Sequence, residues 1–158
     1  MKKVLFLCTG NSCRSILAEA LLNHLGKDNF LAFSAGSFPT GQVHPLALKT
    51  LQSKNVPSFG IRSKSWNEFV GQPIDMVITV CDAAAGESCP LFPGKPLKAH
   101  WSVADPAKFQ GTDEETRAEF SRVCNILEKR IKGLVRLPLD KMDNHELQQK
   151  LHALGEII

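Results

Sequence analysis

Hydrophobic positions along the chain fall into short continuous runs and longer helical stripes that alternate. From Lys3 to Cys8 the run is almost unbroken, the pattern of a parallel strand covered on both faces. A helix is predicted next. Ile16 with Ala20, and Leu17 with Leu21 and Leu25, recur at helical spacing, and Gly26 stands where that helix would stop. "FLAFSAG", from Phe30, reads as a second strand. His44-Pro45 opens another helix, with proline near its first position and Ala47, Leu48 and Leu51 as the inner stripe. A short helical turn is read around Trp66 to Val70. "DMVITVC", from Asp75 to Cys81, is a third buried strand and "LKAHW" a fourth. Thr112 with Glu115 forms a capping-box start to a long helix whose stripe is Phe120, Cys124, Leu127 and Ile131. Asp143 with Glu146 starts a last helix carrying Leu147, Leu151 and Leu154, ended by Gly155.

Strands alternating with helices predict parallel pairing: an α/β fold with a doubly wound, four-stranded parallel sheet flanked by helices. No internal repeat, linker or low-complexity segment interrupts the pattern, so residues 1–158 read as one domain. The apolar run after Met1-Lys2-Lys3 is too short for a signal peptide and leads into a polar loop. No run approaches a membrane span, and a cytoplasmic monomer is expected. A formal charge of +3 is too slight to argue for nucleic acid, although it suits a small anionic substrate.

Chemistry enters with the cysteines. There are five, many for a chain expected to stay reduced, and the odd count argues against a closed disulfide framework. Cys8 follows the first strand, and the small-chained Thr9, Gly10, Asn11, Ser12 and Cys13 lead to Arg14 at the mouth of the helix. Such a loop can curl its backbone N–H groups inward as an anion nest at a positive helix end. Arg14 adds a planar fork of donors suited to two oxygens of a tetrahedral anion. A thiol at the centre of that ring is expected to ionise readily, aided by the amides, the guanidinium and the Ser15 hydroxyl. The plainer reading makes Cys8 a buried strand end and Arg14 a solvated cation. The strand before, the nest composition between and the amphipathic helix behind favour the functional one.

"CTGNSCRS" resembles the active-site loop of the low-molecular-weight protein tyrosine phosphatase superfamily, which includes arsenate reductases on the same fold. "FSAGS", "VHPLAL", "ITVC" and "HWSVADP" extend the similarity into the long helix. The resemblance implies a nucleophilic Cys8, an oxyanion clamp at Arg14 and a general acid at Asp105, ahead of Pro106. Residues 133–158 run past the usual family length as a C-terminal extension, and only packing is read for them.

A phosphatase needs no further thiols, whereas a reductase must supply two electrons. Cys81 ends the third strand, on the same sheet edge as Cys8, and Cys89 follows a small-residue segment. The chain has no tyrosine, and Ala107 and Lys108 follow the Asp-Pro where the phosphatases carry tyrosines against an aromatic substrate. Arsenate reduction is therefore preferred, with tyrosine phosphatase as the alternative and a non-enzymatic oxyanion-binding module as a third. The resemblance to thioredoxin-coupled arsenate reductases implies a relay. Cys8 attacks arsenate, Cys81 attacks Cys8, and Cys89 attacks Cys81. The final Cys81–Cys89 disulfide is reduced by thioredoxin, or by glutaredoxin with glutathione. No bound cofactor is expected. A zinc site is not read, since the spacing of Cys81 and Cys89 around His100 fits none of the usual knuckles. Some relatives hold potassium near the nest. Asn11, Glu19 and Ser34 correspond to that site, but the acidic position that would complete it falls at Asn67, which is no carboxylate. Cys13 and Cys124 read as packing thiols, His44 as a helix cap, and His24 and His145 as solvated. His100 and Trp101 read as strand-end packing that positions the Asp105 loop.

Overall fold

The computed structural model describes residues 1–85 and 92–158. Its sheet has strands β1 (Lys2–Cys8), β2 (Phe30–Gly36), β3 (Met76–Thr79) and β4 (Leu97–His100), all parallel, in the order β2-β1-β3-β4. The helices are α1 (Arg14–Leu25), α2 (Pro45–Ser53), α3 (Asp82–Ala85), α4 (Asp113–Val135) and α5 (Asn144–Leu154). Among the described residues no helix is long and apolar enough to cross a membrane.

Period-2 alternation splits the central strand between two cores. Val4, Phe6 and Cys8 join the larger cluster, to which α1, α2, α4 and α5 all contribute. Leu5 and Leu7 face a smaller one with Ala35, Phe69, Ile74, Val77 and Phe92. The short 3-10 turn at Trp66–Phe69 covers that second face.

Several local predictions hold for the expected reasons. Thr112 and Glu115 exchange both hydrogen bonds of a capping box, His44 Nδ1 accepts from the Leu46 N–H at 3.1 Å, and Asp143 caps α5. Others need correction. β3 stops at Thr79 rather than reaching Cys81, because the chain turns there into α3. That helix was not predicted, since "DAAA" is too short to show a stripe. On α2 the buried positions are Ala47, Thr50 and Leu51, while Leu48 is partly exposed. Thr50 takes the inner place because its hydroxyl donates to the Leu46 carbonyl at 2.7 Å.

α5 lies over the edge strand. Gln148 pairs with the backbone of Lys98 through both its amide atoms, and Leu147 and Leu151 enter the core. An open strand edge is thereby covered.

Candidate active site

Chain order reverses between β1 and β3, and in open α/β sheets the crevice beyond the carboxyl ends at such a reversal is where ligands bind. Cys8 ends β1 and Cys81 follows β3 by two residues. Both line a polar cleft of about 570 Å³, together with Arg14, Asp82, Asp105 and Lys108. All five loop residues proposed for the nest lie beside Cys8, and all but the buried Asn11 line the cleft.

Cys8 and Cys81 stand near enough in the cleft for each thiol to influence the ionisation of the other. Cys81 Sγ also lies 3.4 Å from the N–H groups of both Thr9 and Ala84, and 3.6 Å from the Thr9 hydroxyl. These contacts stabilise an anion on Cys81. The neighbouring Cys8 thiol, assisted by those donors, pulls Cys81 below the ordinary thiol range. Cys8 moves the other way. The neighbouring Cys81 and burial raise it, against the pull of Arg14 and the Gly10 backbone. Where a readily ionised Cys8 is expected, the donors of the ligand-free cleft gather on Cys81. Sequence could not reveal this, because the competing acceptor lies 73 positions away (Cys8 to Cys81).

Arg14 opens α1 and crosses to the loop after β4. Its Nη1 donates to the Val103 carbonyl at 3.1 Å, and its Nη2 lies 3.4 Å from Asp105 Oδ2. Its Nε is buried with no hydrogen-bond partner among the described residues, a donor that a multidentate oxyanion would satisfy. Asp105 caps the turn that follows it, accepting from the Ala107 N–H at 3.0 Å.

The nest is braced from behind. Asn11 has a left-handed backbone, φ 46°, which asparagine tolerates better than most residues. Its side chain donates to the Ser15 hydroxyl at 2.8 Å and accepts from the Lys64 N–H at 2.9 Å. Ser15 is buried and joined to Asn11, so it braces the loop. Glu19 accepts from the Ser34 hydroxyl at 2.7 Å and stands 3.5 Å from Lys64 Nζ. An ammonium of the chain itself therefore faces the carboxylate that the resemblance linked with potassium. Burial pulls that ammonium down and Glu19 partly restores it.

Cys13 and Cys124 are both buried, and desolvation lifts each thiol to about 11, which suits the packing role. Cys89 lies outside the described residues. Sequence reading missed three contributors: Lys64, the Asp82–His100 pair and Arg130. His100 Nε2 is 2.8 Å from Asp82 Oδ1, and its Nδ1 is 2.7 Å from the Thr79 hydroxyl, which ties β4 to the start of α3. Arg130 had a signal, for it falls on the apolar stripe of α4 between Leu127 and Leu134.

Fold and site together define a parallel α/β protein with a polar cleft, lined by Cys8, Cys81, Arg14 and Asp105, at its topological switch point. The chain belongs to the low molecular weight phosphotyrosine protein phosphatase family, whose sequence model matches residues 3–152. A relative from Halalkalibacterium halodurans named arsenate reductase is 40% identical over 131 residues, 83% of this chain and 93% of that protein. The crystal structure of arsenate reductase from Archaeoglobus fulgidus superposes with a TM-score of 0.66 at 31% identity, covering 84% of this chain and 98% of the other. A thioredoxin-dependent arsenate reductase from Corynebacterium glutamicum gives a TM-score of 0.57 at 29% identity, covering 84% of this chain and 62% of that one.

Proposed function

We propose that this protein reduces arsenate to arsenite by a thiol relay in the cytoplasm, where thiols are kept reduced. The observation that carries the reading is the placement of Cys8 and Cys81 together on one cleft beside Arg14 and Asp105. Phosphate transfer needs a single nucleophilic thiol, whereas a two-electron reduction needs a second one within reach. The names of the relatives support the same reading.

Arg14 and the loop from Thr9 to Cys13 bind the arsenate oxygens. The Cys8 sulfur bonds to arsenic as its proton passes to Cys81. One arsenic–oxygen bond breaks, and Asp105 protonates the hydroxyl, which leaves as water. Cys81 then attacks the Cys8 sulfur. The sulfur–arsenic bond breaks with its electron pair left on arsenic, which falls from the +5 to the +3 state, and the Cys81 proton goes to an arsenite oxygen. Two thiols have become one disulfide, so the electrons balance. Cys89 attacks Cys81 and frees Cys8 as a thiol. Thioredoxin, or glutaredoxin with glutathione, reduces the resulting Cys81–Cys89 bond by exchange. The thioredoxin dependence in the Corynebacterium protein's name favours the first donor.

The test combines turnover and mapping. Full-length protein supplied with arsenate and a thioredoxin system should form arsenite, and peptide mass mapping after one turnover should find Cys81 joined to Cys89. Cys8→Ser and Cys81→Ser should each lose at least about a hundredfold in rate, the scale for removing a reacting group. Full activity in Cys81→Ser would overturn the relay. Slow hydrolysis of aryl phosphates is also expected, because the first attack suits phosphate equally, and it should be indifferent to Cys89→Ser.

A further inference from the structure

Arg130 is a buried cation, 2% exposed, on the inner stripe of α4. Among the described residues no carboxylate pairs with it; its partners are main-chain carbonyls. Nη1 donates to Trp101 O at 3.0 Å and to Ser102 O at 3.1 Å, and Nε donates to Ile157 O at 3.0 Å. A leucine or methionine would fill that stripe without desolvating a charge, and burial does pull the guanidinium down.

The two carbonyls on Nη1 are consecutive. In an extended strand, neighbouring carbonyls point to opposite sides. Their convergence on one nitrogen marks the point where β4 ends and the loop bends. The next carbonyl, Val103 O, meets Arg14 Nη1, and Asp105 meets Arg14 Nη2. One short segment is thus held between two arginines, one in the core and one at the cleft.

The C-terminal residues keep the inner arginine dry. The Trp101 indole donates to Leu151 O at 2.8 Å, across from α5. Gly155 passes so near that a Cβ there would lie 2.7 Å from Trp101 Cδ1 and 2.8 Å from His100 O. Ile157 supplies the third carbonyl.

We propose that Arg130 is a positioning residue for the anion cleft, and that residues 144–158 are the brace that holds it in place. Clamping Trp101 and Ser102 sets where Val103 O and the Asp105 carboxylate meet Arg14. The proposal rests on the reading that Arg14 and Asp105 act on a bound oxyanion.

Full-length Arg130→Gln and Arg130→Lys test it. Hydrogen exchange followed by mass spectrometry should show the peptide spanning 101–108 exchanging about tenfold faster in Arg130→Gln, with β1 and α1 unchanged. Inorganic phosphate, read by its protection of Cys8 and Cys81 from iodoacetamide, should bind about tenfold more weakly. Arg130→Lys, which keeps a cation for the paired carbonyls, should recover most of both. Should Arg130→Gln fail to fold, Trp101→Phe, which removes the N–H to Leu151 O together with part of the buried indole, should move both readouts about threefold in the same direction. For arsenate turnover, Arg130→Gln should cost about tenfold in the native background and under about twofold in Asp105→Asn, since coupled residues are not additive. Unchanged exchange and phosphate affinity, or equal losses in the two backgrounds, would overturn the proposal. If native protein reduced no arsenate, the function proposed above would fall, while exchange and phosphate binding would still decide the role of Arg130.

Discussion

At the scale of single residues, the unexpected feature is that anion-stabilising donors gather on Cys81. Both thiols are buried, and each could have been the anion. Cys81 collects the two amides and a hydroxyl, whereas the neighbouring Cys81 and burial raise Cys8. Since the Cys81 thiol is held at about 5, it is protonated below that pH and ionised above it. Thiolate absorbance near 240 nm should therefore rise by one equivalent as pH increases through about 5, well below the ordinary thiol range. Cys81→Ser removes the largest influence raising Cys8, and also the low-pH step. A single thiolate should then appear at higher pH, set by burial against Arg14. No rise between pH 4 and 7 in the native protein would contradict this assignment. The sequence places Cys8, Arg14 and Cys81 at element ends. Partners such as Lys64, which joins Asn11 and Glu19 from a stretch with no periodic signal, emerge only on folding.

At the scale of elements, the strand–loop–helix from Lys2 to Leu25 needs room as well as donors. Gly36, at the end of β2, is where that room is made. A Cβ there would stand 2.4 Å from Thr9 O and 2.9 Å from Cys8 O, backbone atoms that cannot rotate away. Gly36→Ala should cost about 3 kcal/mol or more by denaturant unfolding, the range for forced steric overlap, and weaken phosphate binding with it. Unaltered stability would mean that the loop lies farther from β2. Capping signals proved readable because a cap is a local bargain between a side chain and amides three residues on. Leu48 and α3 show the opposite case. Whether a helix position faces in or out, and whether four residues such as "DAAA" coil, depends on the neighbours that arrive.

At the scale of the whole molecule, the C-terminal segment links stability to the cleft. Leu151 is fully buried and its carbonyl holds the Trp101 indole. Leu151→Ala should destabilise by about 2–5 kcal/mol, as core truncations of this kind do, measured by urea unfolding. A loss under about 0.5 kcal/mol would show that α5 is not integral to the core. The element pattern, the parallel sheet, the nest loop and the pairing of Cys8 with Arg14 are written in the chain, because each is a matter of spacing within one element and its adjoining turn. The gathering of donors on Cys81, the ammonium of Lys64 against Glu19, and the hold of Arg130 on Trp101 and Ser102 are not. Each depends on groups distant along the chain coming within hydrogen-bond reach in a shielded interior, where small differences in donors and burial decide which atom holds the charge.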